Sequence, residues 1–338
     1  MKKLAVVLAM VLTVTAMAGC GGKSTESTNT DTSADTETSE GGDENEAASG
    51  EMRDVVVMVK NSTAPFWIST MDGAKQAGED FGVNVIFKTP VDTAEGSGNE
   101  QQSQLCEEAI VSGADAVVIA PVDSEAIVPA TKKINDAGIP VINLNTRISD
   151  AEQYVTFVGL ENVNQGYDTA KVVLEKMEGE GTIFIIEGST GAQTSIDRVT
   201  GFEKALAEYP NIEVVAQQSA NYSRADAMNV VQNLLQSYPD VDAIICCNDE
   251  MAMGTAEAVD AAGKTGEILI SGQDANDDAV GAVKEGKLFA TSFGNPYMQG
   301  YTAVQAAVDV LDGKEVEDFY EVKTKVVTLE NVDTFKDE

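Results

Sequence analysis

The side chains best placed to do chemistry sit just after short apolar runs. Phe66 and Trp67 follow Ala64-Pro65 and open a helical pattern. Asn145, Thr146 and Arg147 follow Pro140-Val141-Ile142-Asn143-Leu144. Asn248, Asp249 and Glu250 follow Cys247, and Gln273 and Asp274 follow Ser271-Gly272. Arg198 lies just inside a helical pattern beginning near Ile196. Asn, Asp and Arg each present two polar atoms in one plane, so each can bridge two neighbouring hydroxyls. Aromatic planes stack on apolar C–H faces. Together these residue types suit the recognition of a polyhydroxylated ring, and they do not suit bond breaking. Trp67 also belongs to an apolar helix stripe, so Phe66 is the stronger ligand candidate of the two. Asn248 doubles as a helix N-cap candidate. Asp249 and Glu250 read as first-turn acids favoured by the helix dipole.

Other chemistries lack their residues. The chain has no histidine, which removes the commonest general base and transition-metal ligand. Cys106, Cys246 and Cys247 have no metal-site or C-x-x-C spacing and read as small buried hydrophobes. Gly188-Ser189-Thr190-Gly191 lacks the lysine of a phosphate loop. There is no G-x-S-x-G elbow. No cofactor or metal is expected. The net charge of −34 disfavours nucleic acid and anionic membrane surfaces.

The elements that must position these residues alternate. Strand candidates run 55–59, 83–87, 115–120, 139–144, 154–158, 182–187, 212–216, 241–247, 267–271, 288–292 and 322–328. Continuous apolar runs such as Val55-Val56-Val57-Met58-Val59 mark strands buried on both faces of a parallel sheet. Between them lie helical stripes, Trp67, Met71, Ala74, Gly78 and Phe81 in one and Ile196, Val199, Phe202, Leu206 and Tyr209 in another. The arrangement occurs twice: Asp115-Ala116-Val117-Val118-Ile119 is echoed by Asp242-Ala243-Ile244-Ile245-Cys246. The fold class is α/β, with two similar doubly wound parallel-sheet lobes. Ligands of such sheets bind beyond the carboxyl ends of the strands, which puts the site in a cleft between the lobes. Residues there face water in an open form, so losing Arg198 or Asp274 is expected to cost binding rather than stability.

The start of the chain carries a separate message. Met1-Lys2-Lys3, an apolar run from Leu4 to Ala18 and Gly19-Cys20 have the layout of a secretory signal peptide over 1–19. The run is short of the roughly 20 residues a spanning helix needs. Met17-Ala18-Gly19-Cys20 resembles a bacterial lipobox, which implies cleavage before Cys20 and a lipid on its sulfur. Residues 21–51 contain no Val, Ile, Leu or aromatic. With Cys20 they form an expected disordered acidic tether over 20–51.

Several stretches resemble the ribose/galactose-type periplasmic sugar-binding proteins of the type I periplasmic-binding fold. They are Pro65-Phe66-Trp67, Asp72-Gly73-Ala74, Gly138-Ile139-Pro140-Val141-Ile142, Arg198-Val199-Thr200-Gly201-Phe202, Asn248-Asp249-Glu250-Met251-Ala252-Met253-Gly254 and Ser271-Gly272-Gln273-Asp274. The resemblance implies sugar contacts from Phe66, Trp67, Arg198, Tyr222, Asn248 and Asp274. The family's Asp-Arg pair is Asn145-Thr146 here, with Arg147 one place later, so the particular sugar stays open among pentoses, hexoses, cyclic polyols and derivatives. It also implies three crossovers, near Glu161, Asn295 and Glu321. The first lobe is then 52–161 plus 296–321, and the second 162–295 plus 322–338. The expected function is a monomeric, lipid-anchored, extracytoplasmic component of an ABC importer, not an enzyme. Its partners would be a sugar and a permease with its ATPase, with the membrane touched only through the lipid. The alternative is a sensor presenting a sugar-like signal, such as an autoinducer, to a membrane receptor.

Overall fold

The computed structural model describes residues 52–91 and 97–336. The expected signal peptide (1–19), Cys20 and the tether (20–51) lie outside the described residues.

The chain opens with β1 (Asp54–Met58), α1 (Pro65–Phe81), β2 (Asn84–Lys88), α2 (Ser97–Ser112), β3 (Ala116–Ile119), α3 (Val128–Asp136), β4 (Val141–Leu144) and β5 (Thr156–Gly159). It continues with α4 (Asn162–Lys176), β6 (Glu180–Glu187), α5 (Gln193–Leu206), β7 (Asn211–Ser219), α6 (Arg224–Ser237), β8 (Ala243–Cys246), α7 (Asp249–Ala261), β9 (Leu269–Ser271), α8 (Asp277–Lys284) and β10 (Ala290–Phe293). It closes with α9 (Pro296–Leu311), β11 (Phe319–Glu321) and β12 (Lys325–Thr328).

Two six-stranded sheets result, ordered β11-β5-β4-β3-β1-β2 and β12-β10-β9-β8-β6-β7. Every pairing is parallel except β10 with β12. The chain passes between the sheets three times: after β5, after β10, and between β11 and β12. The two-lobed, doubly wound α/β architecture read from the strand–helix alternation is therefore the one observed.

The strand period explains why β1 is apolar throughout. Val55, Val57 and Val59 join a core with α1 and α9, while Val56 and Met58 join one on the opposite face with α2 and α3. Alternate residues point to opposite faces, so a strand covered on both sides carries no polar positions. The second sheet has its own core around Phe184, Phe202 and Ile244. Cys106, Cys246 and Cys247 are buried and unpaired, and burial pushes each thiol up to about 12.

Two details differ from the sequence reading. Ile196 is 51% exposed, and the buried face of α5 instead runs through Thr194, Ser195, Arg198, Val199, Gly201, Phe202 and Ala205. The face turns because α5 crosses α4 at glycines. A Cβ on Gly201 would lie 2.2 Å from the Val163 carbonyl oxygen, and one on Gly166 would lie 2.3 Å from that of Arg198. The 322–328 strand candidate is shorter, at Lys325–Thr328, and a further strand, β11, precedes it in the other sheet. β11 is three residues long and gains its order from pairing with β5, so no local apolar run announces it.

Candidate functional site

Both sheets send the loops at the carboxyl ends of their strands to one cleft of about 450 Å³. From the first sheet come Lys60, Asn61, Ala64, Pro65, Phe66 and Trp67 after β1, Val122 and Asp123 after β3, and Asn145 after β4. From the second come Ser189, Thr190, Thr194 and Arg198 after β6, Asn221 and Tyr222 after β7, Asn248 and Glu250 in the β8–α7 region, and Asp274 and Asn276 after β9. In both sheets β1/β3 and β6/β8 are the neighbours at which strand order reverses, and loops diverge there to leave a crevice.

The aromatic wall is built at the start of α1. Asn61 Oδ1 accepts from the backbone N–H groups of Thr63 and Ala64, at 3.1 and 2.9 Å, and so folds the chain into the helix. Pro65 supplies a fixed φ at the first helical position. Phe66 and Trp67 then meet edge to face, with centroids 4.9 Å apart and planes at 83°. Both line the cleft, although Trp67 is also part of the core.

Arg198 is the central cation of the second lobe's wall, and it is 4% exposed. Its Nε donates to Asn162 Oδ1 at 3.2 Å and its Nη1 to the Cys247 carbonyl at 2.5 Å. Asp274 Oδ1 lies 3.9 Å away. Burial pushes the Asp274 carboxyl well above the usual range, and Arg198 opposes that shift. Asp274 has φ 130° and Ala275 φ 49°, conformations costly for residues with a Cβ. Asn248 caps α7, its Oδ1 accepting from Met251 N at 3.0 Å. That cap uses the amide oxygen and leaves the amide N–H₂ for the cleft.

Tyr222 sits in left-handed backbone with φ 59°. Its ring covers Gly188, where a Cβ would come within 2.1 Å of the ring. Its hydroxyl donates to Thr194 Oγ1 at 3.3 Å. Asn145 is also left-handed, at φ 60°, a conformation Asn tolerates better than most residues. Its Nδ2 donates to Gln299 Oε1 at 3.0 Å, and Gln299 Nε2 donates to the Gly294 carbonyl at 2.7 Å. The cleft is thus wired to the second crossover.

Arg147, expected among the ligand contacts, does not line the cleft. Its guanidinium lies over the Phe157 and Phe319 rings, 3.9 and 4.7 Å from their centroids, and pairs with Glu161 at 3.6 Å. The left-handed turn at Asn145 carries the chain away from the wall, and Arg147 ends beside the first and third crossovers. Thr146 is fully buried and meets Thr194 of the other lobe, Oγ1 to Oγ1 at 3.1 Å. Ser124 adds two more links across the lobes: its N–H donates to the Gly191 carbonyl at 3.0 Å, and its Oγ accepts from Gln193 N at 3.1 Å. Asp249 is buried behind the wall, accepting from Thr291 Oγ1 at 2.6 Å and Asn276 N at 2.9 Å. Burial pushes it up to about 7. Glu250 reaches the cleft and is held by Arg224 through two bonds of 3.2 and 3.0 Å. Sequence reasoning did not reach Lys60, and it reached Asp123 and Thr194 only as members of the loops at 120–123 and 188–198. Lys60 lies two residues beyond β1 and one before the 61–67 loop that the rule of sites after strands selects.

Among the described residues no group of three or more His, Cys, Asp or Glu side chains could hold a metal ion. No helix among them is long and apolar enough to cross a membrane. Two lobes that meet at a cleft lined by aromatic and polar side chains from both define a solute-binding protein.

Comparison with known proteins agrees. Residues 55–315 match the periplasmic binding protein domain, and the chain belongs to that family. It is 34% identical to the ribose import binding protein of Bacillus subtilis over 282 residues, covering 83% of this chain and 89% of the relative. It is 32% identical to the D-allose-binding periplasmic protein of Escherichia coli, covering 83% and 88%. Among solved structures, a solute binding protein of an ABC transporter from Bacillus halodurans with bound myo-inositol superposes with a TM-score of 0.79. That pair shares 31% identity, over 85% of this chain and 98% of the other. A family defined by binding makes this chain a binder of solute and not an enzyme.

Proposed function

We propose that this protein captures a monosaccharide or similar cyclic polyol by hinge closure and delivers it to an ABC-type importer. The observation that carries the reading is the make-up of the cleft. Phe66 and Trp67 face planar polar groups of Asn145, Arg198, Asn248 and Asp274 drawn from both lobes, in a volume of about 450 Å³. Sites of this kind fix one small ligand by a few placed polar groups against an apolar surface. A ligand that touches both lobes binds the closed form better and so drives closure. Relatives that bind ribose, allose and myo-inositol support the solute class. The test is a thermal-shift screen against pentoses, hexoses, inositols and nucleosides, followed by calorimetry. At least one sugar or inositol is expected to raise the melting temperature without added metal and to be recovered unchanged. A panel with no shift, or a chemically altered ligand, overturns the reading.

Within the same proposal, residues 1–19 are a signal peptide, Cys20 is lipidated and 20–51 tether a monomer to the outer face of the membrane. The lobes are 52–161 plus 296–321 and 162–295 plus 322–338. The support is the short apolar leader followed by Gly19-Cys20 and a segment without large apolar residues. Cys20→Ala is expected to move the protein from the membrane to the soluble fraction with unchanged ligand affinity. Retention of that variant on membranes would overturn the anchor.

A further inference from the structure

We propose that Thr146 is a positioning residue that sets affinity without touching the solute: with Thr194 it completes a hydrogen-bond chain from one lobe to the other, and that chain favours the closed form before any solute is bound. The inference rests on the hinge-closure reading above and adds to it a closing contact that the protein supplies by itself.

The chain is continuous and runs one way. In the second lobe the Tyr222 hydroxyl donates to Thr194 Oγ1 at 3.3 Å. Thr194 Oγ1 and Thr146 Oγ1, one from each lobe, are 3.1 Å apart. Thr146 Oγ1 donates to Asn145 Oδ1 at 3.2 Å, so the proton between the two threonines comes from Thr194. Asn145 Nδ2 donates to Gln299 Oε1 at 3.0 Å, and Gln299 Nε2 to the Gly294 carbonyl at 2.7 Å. Gly294 lies between β10 and α9, in the second crossover. Each threonine hydroxyl thus donates once and accepts once, and hydrogen bonds in such a chain polarise and strengthen one another. Within the chain, the Thr146–Thr194 link is the one that spans the lobes.

Burial gives the link its weight. Thr146 and Gln299 are fully buried, and Thr194 and Asn145 nearly so. Thr146 does not line the cleft, so its hydroxyl is committed to Thr194 and Asn145 and not to a solute. Opening the lobes breaks the link and lets water reach both hydroxyls. Its net contribution is therefore that of an ordinary hydrogen bond rather than of a stranded polar group. Ser124 reinforces it, its N–H donating to the Gly191 carbonyl at 3.0 Å and its Oγ accepting from Gln193 N at 3.1 Å. All three bonds join a loop after β3 or β4 to the start of α5 or the loop before it, and none of them needs a ligand.

A residue of this kind has its own signature. The apparent dissociation constant is the intrinsic one divided by the fraction of protein in the binding-competent form. Weakening the latch lowers that fraction and multiplies the dissociation constant of every solute by one common factor. A residue that touches the solute changes different solutes by different factors, because each presents its hydroxyls differently.

The experiment compares wild type with Thr146→Val, Thr146→Ala and Thr146→Ser. Small-angle X-ray scattering of the ligand-free proteins reads the separation of the lobes, and calorimetry with D-ribose, D-allose and myo-inositol reads affinity. Thr146→Val keeps the bulk and removes the hydroxyl. Its ligand-free radius of gyration is expected to exceed that of wild type. The dissociation constant of every probe that binds should rise by the same factor, about three- to tenfold. Thr146→Ser keeps the hydroxyl and should restore both readings. Thr146→Ala removes the same hydroxyl with less bulk and keeps the test alive if Thr146→Val packs poorly. Equal ligand-free radii in wild type and the variants without the hydroxyl overturn the latch, and so do weakening factors that differ between probes. Failure of every probe to bind wild type overturns the underlying sugar reading instead, and the scattering comparison then decides the latch on its own.

Discussion

Arg198→Ala is expected to weaken solute binding by at least about tenfold and, in addition, to lower the melting temperature of the ligand-free protein. The binding loss follows from position: Arg198 lines the cleft and offers charged donors to ligand oxygens. Losing one charge-assisted hydrogen bond costs about 1.5–3 kcal/mol, and 1.4 kcal/mol is about tenfold in affinity. The stability loss follows from burial, and it departs from what a cleft residue suggests by sequence. Arg198 is 4% exposed and bonds to Asn162 Oδ1 at the root of α4 and to the Cys247 carbonyl at the end of β8. Its removal leaves both acceptors and Asp274 without it inside the fold. A cost of about 2–4 kcal/mol is expected. Asp274→Asn separates the two roles. Burial already disfavours its charge, so the amide should leave melting close to wild type while weakening binding. Calorimetric titration and scanning calorimetry on both variants read the result. Wild-type melting in Arg198→Ala would show that its bonds to Asn162 and Cys247 contribute nothing to the fold. Wild-type affinity would show that the ligand sits elsewhere.

Gly166→Ala should be among the most damaging single-methyl additions in the chain. A Cβ there would lie 2.3 Å from the Arg198 carbonyl oxygen and 3.0 Å from the Arg198 Cα. Both obstacles are backbone, so no side chain can rotate out of the way. The helices α4 and α5 must separate, and the helix that carries Arg198 moves with them. Overpacking of this kind costs about 1–3 kcal/mol and occasionally more; with backbone against backbone, the upper end or beyond is expected. The folded fraction should also bind more weakly, because Arg198 is displaced from Asn162. Gly281→Ala is the control. Nothing lies within 4 Å of a Cβ there, inside α8, and the change should stabilise by about 0.4–1 kcal/mol. Denaturant melts of the two variants should move in opposite directions. A Gly166→Ala protein as stable as wild type would mean that the crossing has slack the contacts deny.

The same crossing shows why α5 was only half legible. Its period is local, so Val199 and Phe202 fall where the apolar stripe puts them. Which flank is buried depends on α4, and α4 approaches on the glycine side, leaving Ile196 in water.

What the residues determine by themselves is whatever neighbours in the chain encode. Continuous apolar runs mark strands covered on both faces, helical stripes mark the layers over them, and the doubling of that pattern marks two lobes. The carboxyl-end rule then points to the loops holding Phe66, Trp67, Asn145, Asn248 and Asp274, and the structure gathers these at one cleft. The tertiary structure decides what depends on partners far along the chain or on one backbone angle. The φ of 60° at Asn145 sends Arg147 out of the cleft onto Phe157 and Phe319. β11 exists because β5, far earlier in the chain, offers it an edge. Lys60 reads locally as a solvated strand end. It becomes a cleft cation because Tyr222, Arg198 and Asp123, from three other loops and helices, enclose it. Periodicity is written between adjacent residues, whereas the surroundings of a loop side chain are set by segments that meet only when the sheets and helices have packed.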